Sequence, residues 1–281
     1  MGNHITTAQN VIVSGKHVIT SLCDDTTNLL DKTKSIFTSR TRAVIKHYTK
    51  PIDEIRSISI SSTDEIILNE NDKNIALIIC NSYHNTRLNL GDPAINDGLL
   101  AYYSLNNFNY KCFLVHDPCM TLFRKSLDKI LSFENVDNVV IYYIGHGSQV
   151  VDLNHDESDG FDECFVIKGT YNNWEPFIDD DMRIALKKHK SKKVTVISDC
   201  CHSGTICDME PREDIVCISA CMDHETAKQD YFERKGNGVF SYYFFKNITQ
   251  NNSYKIVHKI QPKLLAFSQR CTISYETDKI F

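Results

Sequence analysis

Two short segments of the sequence carry side chains that together support nucleophilic chemistry. Residues 145–147 read Gly-His-Gly, and residues 199–204 read Asp-Cys-Cys-His-Ser-Gly. A thiol attacks only as a thiolate, so a nucleophilic cysteine needs a base such as imidazole within hydrogen-bond distance. The glycines around His146 permit a tight backbone and the close approach of another chain. We therefore predict a dyad of Cys201 as nucleophile and His146 as acid/base, with backbone amides near Gly147 and Cys201 as donors to an oxyanion.

The segments that precede the two residues predict neighbouring strands of one sheet. Apolar runs of strand length and helix-like stretches alternate, with runs at 75–80, 112–115, 139–144 and 194–198 and helices near 94–107, 121–132 and 181–190. This alternation predicts an α/β sandwich with a mostly parallel central sheet and helices on both faces. Ligand sites in such sheets lie beyond the carboxyl ends of the strands. The runs that end before His146 and Cys201 therefore place both residues at one edge.

Composition and charge narrow the classes of function. Of the 281 residues, 42% are hydrophobic and 24% are charged, as in ordinary globular proteins. The net charge of −5 offers no broad basic surface, which argues against nucleic acid as a partner. No run approaches the roughly 18 apolar residues that a transmembrane segment needs. The odd count of eleven cysteines, without a secretory signal, predicts reduced thiols in the cytoplasm, with the nucleus left open. A weak N-myristoylation pattern places an acyl chain on Gly2.

From about residue 74 onward the sequence resembles the metacaspases, the caspase-like cysteine peptidases of protists, fungi and plants. Residues 143–149 are similar to their histidine loop, and residues 199–204 are similar to their cysteine loop. The resemblance implies a caspase-like three-layer sandwich and a cysteine-type endopeptidase. The family's nucleophile directly precedes His-Ser-Gly, which maps to Cys201 rather than Cys200. The layout is closer to the first metacaspase type, and the resemblance implies a monomer.

The expected domain organisation is an extension followed by one peptidase domain. Residues 1–70, rich in Ser, Thr, Asn and charge, form an N-terminal extension of uncertain order. The caspase-like domain covers residues 71–281, with a larger part at 71–209 and a smaller part at 210–281.

The resemblance also implies protein or peptide substrates that are cleaved after Arg or Lys. In the family an acidic pocket receives the basic side chain, and the matching carboxylates here are Asp97 and Asp199. Paired desolvated carboxylates attract a cation and reject an acidic residue. Asp223, in a loop that helps to shape the family's cleft, adds negative charge. Ile144 stands where the family usually has Ser, which removes a hydroxyl from this pocket.

A carboxylate-rich stretch between and after the two loops suits a hard cation. Such oxygen clusters favour Ca²⁺, and many metacaspases need calcium. The family's ligand positions correspond to Asp162, Asp179, Asp180 and Asp208. The resemblance therefore implies Ca²⁺ as an activator, with Asp208 linking the ion to the catalytic loop.

Two alternatives compete with a calcium-dependent peptidase. The first is a non-catalytic, metacaspase-like regulatory protein, which the substitution at Ile144 motivates. The second is a zinc module built from Cys200, Cys201, His202 and Cys207. Adjacent ligands suit a closed tetrahedral zinc site poorly.

Overall fold

A computed structural model describes residues 50–157, 159–169, 173–207, 212–248, 254–278 and 280. Gly2, the predicted acylation site, and Asp208, a predicted calcium ligand, lie outside these residues. Within them, no helix combines the length and the apolar character that crossing a membrane requires.

The described chain alternates between strands and helices. The strands are β1 (Asn74–Cys80), β2 (Lys111–His116), β3 (Asn138–Ile144), β4 (Gly147–Val151), β5 (Phe161–Lys168), β6 (Trp174–Ile178), β7 (Lys193–Asp199), β8 (Ile215–Ser219), β9 (Gln229–Phe232), β10 (Lys235–Gly238) and β11 (Thr272–Ile273). The helices are α1 (Pro51–Ile58), α2 (Asp92–Asn107), α3 (Met120–Ser132), α4 (Asp179–Leu186), α5 (Val239–Asn247) and α6 (Lys255–Leu265).

A six-stranded sheet in the order β11-β8-β7-β3-β1-β2 forms the centre of the fold. Its five longer strands run parallel, and only the short β11 pairs antiparallel with β8. Central strands of parallel sheets are covered on both faces, so their sequences are apolar throughout rather than alternating. All seven residues of β3 are buried accordingly. The predicted mostly parallel α/β architecture is confirmed.

Two apolar cores lie on opposite faces of this sheet, because successive strand side chains point to opposite sides. On β3, Tyr142 joins the core beneath α2, α5 and α6, whereas Tyr143 joins the core beneath α3 and α4. The helices therefore form the outer layers of a three-layer sandwich.

The described part of the predicted N-terminal extension packs against this sandwich. Ile55 of α1 and Ile66 are completely or almost completely buried. The amide of Ile60 donates to the carbonyl oxygen of Leu114 on the edge strand β2, at 2.8 Å. The compact unit consequently begins at Pro51, earlier than the predicted boundary at residue 71.

A small antiparallel sheet and a hairpin flank the central sheet on its carboxyl-terminal side. The order of the small sheet is β4-β5-β6, and β4 starts immediately after the histidine loop. The hairpin pairs β9 with β10 and leads directly into α5. Neither pairing is among the sequence-based predictions, and both help to position the site.

Candidate active site

The register of two neighbouring strands brings the predicted dyad to one place. Ile144, the last residue of β3, is the partner of Asp199, the last residue of β7. His146 and Cys201 each lie two residues beyond these ends, so both leave the sheet at the same edge. The amide of Gly145 also donates to the carbonyl oxygen of Asp199, at 3.3 Å, which continues the pairing past the strands.

A cavity of about 280 Å³ opens at this edge. Its lining includes five residues that were predicted for the site, together with residues 226–229 and Gly238. Those five are His146, Cys201, Asp97, Asp199 and Ile144. The structure therefore gathers the predicted dyad and most of the predicted substrate pocket in one concave site.

The glycines beside His146 are required by close packing. A Cβ atom on Gly147 would lie 1.9 Å from the carbonyl oxygen of Cys201, which is far inside van der Waals contact. A Cβ atom on Gly145 would lie 2.7 Å and 2.8 Å from the hydroxyls of Tyr143 and Tyr83. The histidine loop and the cysteine loop thus contact each other through the backbone atoms of Gly147 and Cys201.

A backbone carbonyl sets the orientation of the His146 ring. Nε2 lies 2.8 Å from the carbonyl oxygen of Leu88. Because a carbonyl oxygen only accepts, Nε2 carries a proton and donates it. In neutral His146 this leaves Nδ1 unprotonated and able to take a proton from a thiol. Among the hydrogen bonds described for the chain, none joins the ring to Cys201 in this conformation.

The thiol of Cys201 is half-buried, and burial raises its pKa above the usual value. A backbone hydrogen bond with Ala227 and the positive charge of Lys228 act in the opposite direction, and the charge of Asp199 adds to the increase. The resting side chain is therefore a thiol. Attack on a substrate requires a base at the moment of reaction, which is the part predicted for His146.

Two buried carboxylates form the floor of the cavity. Asp97, from α2, accepts from the amide of Gly238 at 2.7 Å and from Nδ2 of Asn237 at 2.8 Å. Asp199 accepts from the amide of Ser241 at 3.3 Å and from its hydroxyl. A Cβ atom on Gly238 would lie 2.9 Å from Asp97 Oδ2 and 2.8 Å from Asp199 Oδ2. The two carboxylates thus face the same point.

Burial and mutual repulsion make this carboxylate pair costly to ionise. Burial, followed by the neighbouring charge of Asp199, raises the pKa of Asp97 well above its usual value. Burial raises the pKa of Asp199 to about 6, against the effect of its hydrogen bonds from Ser241. A cation placed between the two carboxylates would favour their charged forms.

Asp223 lies elsewhere than its predicted role in the substrate pocket requires. Its Oδ1 accepts from the amide of Thr205 at 2.9 Å and from the hydroxyl of Thr205 at 3.1 Å. A Cβ atom on Gly204 would collide with the same oxygen. Asp223 therefore binds the end of the cysteine loop and the residue that follows it, and it is not among the residues that line the cavity.

Two of the predicted calcium ligands, Asp162 and Asp179, lie close enough for their charges to interact. Asp162 and Asp179 are both buried. Burial raises the pKa of Asp179 to about 7, and burial together with Asp152 and Asp180 raises that of Asp162. Oδ2 of Asp179 is buried and has no hydrogen-bond partner among the described residues. Asp180 is different, because it pairs with Arg183 and accepts from Nδ2 of Asn154.

The tightest acidic cluster in the described residues combines Asp162 with two carboxylates that were not predicted as ligands. Oxygen atoms of Asp152, Asp156 and Asp162 lie within 4.8 Å of one another. Three backbone amides already donate to Asp152, and Arg183 pairs with Asp156. Among the described residues, this group contains no cysteine or histidine. Asp208 lies outside the described residues.

The sequence interpretation missed several residues that hold the site in place. Tyr83 and Leu88 lie in the loop after β1, and both contact His146. Asn237 and Ser241 bind the two pocket carboxylates. Tyr83 and Leu88 could have been suspected from sequence, because they follow β1 at the edge of the sheet where the site is predicted. Asn237 lies on β10 and Ser241 on α5, both distant in sequence from the histidine and cysteine loops.

An α/β sandwich with a cysteine and a histidine at the ends of adjacent parallel strands defines a caspase-like protein. The chain belongs to the caspase domain family, whose sequence model matches residues 73–275.

Curated relatives carry the metacaspase name. Metacaspase-1 of Saccharomyces cerevisiae is 36% identical over 75 residues, which cover 26% of this chain and 17% of that protein. Metacaspase-7 of Arabidopsis thaliana is 30% identical over 160 residues, which cover 56% of this chain and 34% of that protein. The chain thus matches 17% and 34% of the length of these two relatives. Together with the family match, they confirm the metacaspase resemblance.

A solved structure shares the fold. The crystal structure of protein GSU0716 from Geobacter sulfurreducens superimposes with a TM-score of 0.51 at 20% sequence identity, covering 73% of this chain and 95% of that one. This similarity supports the caspase-like sandwich and concerns the fold alone.

Proposed function

We propose that the chain is a calcium-dependent cysteine endopeptidase that cleaves proteins or peptides after Arg or Lys. The observation that carries the proposal is the shared cavity: Cys201 and His146 lie on its wall, and the buried carboxylates of Asp97 and Asp199 form its floor. A cytoplasmic, monomeric protein remains our prediction.

The proposed reaction proceeds through an acyl-enzyme. Nδ1 of His146 takes the proton of the Cys201 thiol, and the thiolate sulfur attacks the substrate carbonyl carbon. Backbone amides at Cys201 and Gly147, which belong to two loops in contact with each other, stabilise the oxyanion. The imidazolium then protonates the leaving amine as the C–N bond breaks. Water, deprotonated by His146, hydrolyses the thioester and releases the carboxylic acid and the thiol.

The pocket carboxylates account for the preference for a basic residue. A guanidinium or ammonium group between Asp97 and Asp199 would compensate two charges that repel each other in its absence. An acidic residue in the same position would add a third buried negative charge. Ile144 contributes an apolar wall that suits the methylene stem of Arg or Lys.

Hydrolysis of matched fluorogenic peptides that end in Arg, Lys or Asp tests this specificity. The proposal predicts measurable cleavage of the Arg and Lys peptides and at least about a 100-fold lower kcat/KM for the Asp peptide, since a buried unpaired charge costs several kcal/mol. Equal rates for Arg and Asp would contradict the assignment of the pocket.

The pH dependence of cleavage offers a separate prediction. Because the pKa of Asp199 is raised to about 6, lowering the pH through 6 protonates the carboxylate and removes the charge that binds the substrate. We expect kcat/KM for an Arg peptide to fall about tenfold per pH unit below 6. Alkylation of Cys201 by neutral iodoacetamide reports the thiol without a substrate side chain in the pocket and serves as the control. A peptidase profile that merely follows the alkylation profile would contradict this role of Asp199.

We further propose that Ca²⁺ binds at Asp162, Asp179, Asp180 and Asp208. The unpartnered Oδ2 of Asp179 and the burial of Asp162 fit a cation, and carboxylate oxygens are the ligands that Ca²⁺ prefers. Bound Ca²⁺ would supply the positive charge that offsets their repulsion. Glu163, next to Asp162 on β5, accepts from the hydroxyl of Thr205, the residue directly after the cysteine loop. This contact supports a path by which the acidic cluster orders the catalytic loop.

Thermal unfolding with and without Ca²⁺ tests the metal site independently of catalysis. At 100 times the Kd, a ligand that binds only the folded state stabilises it by about 2.7 kcal/mol. For a domain of this size we expect the Tm to rise by roughly 5–10 °C. Asp162→Asn should abolish most of the rise, whereas Asp128→Asn, at an exposed position on α3, should not. An equal rise in the Tm of Asp162→Asn on addition of Ca²⁺ would show that Ca²⁺ does not bind at this cluster.

The alternative of a non-catalytic regulator rests on Ile144, which lines the pocket where related peptidases carry Ser. Ile144→Ser restores the hydroxyl and separates the two hypotheses. A peptidase should cleave an Arg peptide in both forms, with only a modest change in substrate affinity. A regulator should be inactive in both forms.

A further inference from the structure

The peptide groups of His146 are held on both sides by tyrosine hydroxyls. The amide of His146 donates to the hydroxyl of Tyr83 at 2.8 Å. The hydroxyl of Tyr143 donates to the carbonyl oxygen of His146 at 2.9 Å. Tyr83 in turn donates to the carbonyl oxygen of Val166 on β5, at 2.7 Å. The hydroxyl of Tyr143 also lies 3.0 Å from the same carbonyl oxygen of Val166 and 3.2 Å from the hydroxyl of Tyr83. The two hydroxyls thus link the backbone at His146 to the small antiparallel sheet.

Tyr83 also contacts the imidazole itself. The two ring centroids lie 4.9 Å apart, with the planes inclined at 34°. The hydroxyl that binds the amide of His146 approaches so closely that Gly145 has no room for a side chain. The position of the His146 ring therefore depends on Tyr83 through its backbone and through its ring.

The backbone of Tyr83 is strained, and a neighbouring carboxylate holds it in place. Its φ is +51°, in the left-handed region that bulky residues rarely adopt. Oδ1 of Asp117 accepts from the amide of Tyr83 at 2.8 Å, and Oδ2 accepts from the amide of His84 at 3.0 Å. Strain of this kind persists where the surroundings overdetermine it, and it concentrates at functional sites.

The same loop supplies the carbonyl that orients the imidazole. Leu88, five residues after Tyr83, accepts from Nε2 of His146. Thr86 donates to the carbonyl oxygen of Tyr83 through both its amide and its hydroxyl, which closes the loop between them. One anchored loop thus fixes both the backbone and the ring of the proposed base.

We propose that Tyr83, held by Asp117, is a positioning residue that sets the imidazole of His146 for proton transfer from Cys201. The inference rests on the proposed function, because it assumes that His146 serves Cys201. Tyr83 contacts the imidazole ring but contributes no group that takes part in the reaction, so its effect is on the geometry of the base.

Tyr83→Phe removes the hydroxyl and keeps the ring. We expect kcat for an Arg peptide to fall about 10- to 100-fold, the loss that a misplacement of about 1 Å produces, while KM changes less than about twofold. Tyr110→Phe is the matched control. Tyr110 is also buried, but it directly precedes β2 and so lies where the parallel strands begin, away from the ends that carry the site. Asp117→Asn should lower kcat in the same direction. A kcat loss no greater than in Tyr110→Phe, or one that follows the fraction unfolded in a melting curve, would overturn the proposal.

The pH profile of Cys201 alkylation, read by peptide mass mapping, separates this proposal from the proposed function. The wild type and His146→Ala define the profiles with and without the base. We expect the Tyr83→Phe profile to be displaced from the wild type towards His146→Ala. If the wild type and His146→Ala coincide, the dyad fails, and the positioning role fails with it. If those two differ but Tyr83→Phe matches the wild type, only the positioning role is overturned.

Discussion

Cys201→Ala is expected to abolish peptide hydrolysis, with kcat/KM lower by about 10⁴-fold or more, because no other atom in the cavity replaces the attacking sulfur. The neighbouring thiol is the natural control. Cys200 is fully buried, and it packs against Gly147 rather than lining the cavity.

Cys200→Ala should therefore retain activity within about tenfold of the wild type, after allowance for a core cavity of one sulfur atom. Steady-state hydrolysis of an Arg peptide by both variants, with and without Ca²⁺, gives the comparison. Full activity in Cys201→Ala, or loss of activity only in Cys200→Ala, would show that Cys201 is not the nucleophile.

The second large effect concerns the pocket carboxylates. Asp199→Asn should lower kcat/KM for Arg and Lys peptides by about 100- to 1,000-fold, the cost of losing a charged hydrogen bond in a desolvated site. Asp97→Asn should act in the same direction, with an added cost because Asp97 also accepts from Gly238 and Asn237.

The loss should depend on the substrate. Peptides with a neutral residue before the scissile bond should lose little in either variant, and Asp128→Asn should behave as the wild type. A uniform loss across charged and neutral peptides would show that the carboxylates support the fold of the cleft and do not select its substrate. Thermal unfolding of each variant distinguishes that outcome.

Much of the fold follows from sequence because its central strands are buried on both faces. Runs such as residues 139–144 are apolar throughout, which is characteristic of a covered parallel strand. The strand register then explains why His146 and Cys201 meet, since Ile144 pairs with Asp199. Local pattern and chain direction suffice for this part of the site.

The small sheet was not predicted, because its strands carry mixed signals. β4 begins with Gly147 and is mostly half-buried, and β5 includes the acidic residues Asp162 and Glu163 on buried positions. These charges are typical of a metal site and not of a buried strand. Their burial is decided by tertiary contacts that a single sequence does not display.

The positions of Asp223 and Tyr83 show the same limit. Asp223 was assigned to the substrate pocket from its loop, yet its carboxylate turns towards Thr205. Tyr83 reaches His146 across 63 residues of sequence, and a left-handed backbone directs it there. Side-chain direction at loop residues depends on such long-range hydrogen bonds, so spacing alone does not predict it.

Covalent labelling with an Arg-ended peptide electrophile tests the central claim most directly, because the adduct reports the nucleophile, the base and the pocket in one experiment. We predict one adduct per chain, located on Cys201 by peptide mass mapping, strongly slowed in His146→Ala and in Asp199→Asn, and not formed by the matching Asp-ended reagent. An adduct on Cys200 or on another cysteine, equal labelling by the Asp-ended reagent, or no adduct with calcium present would contradict the account.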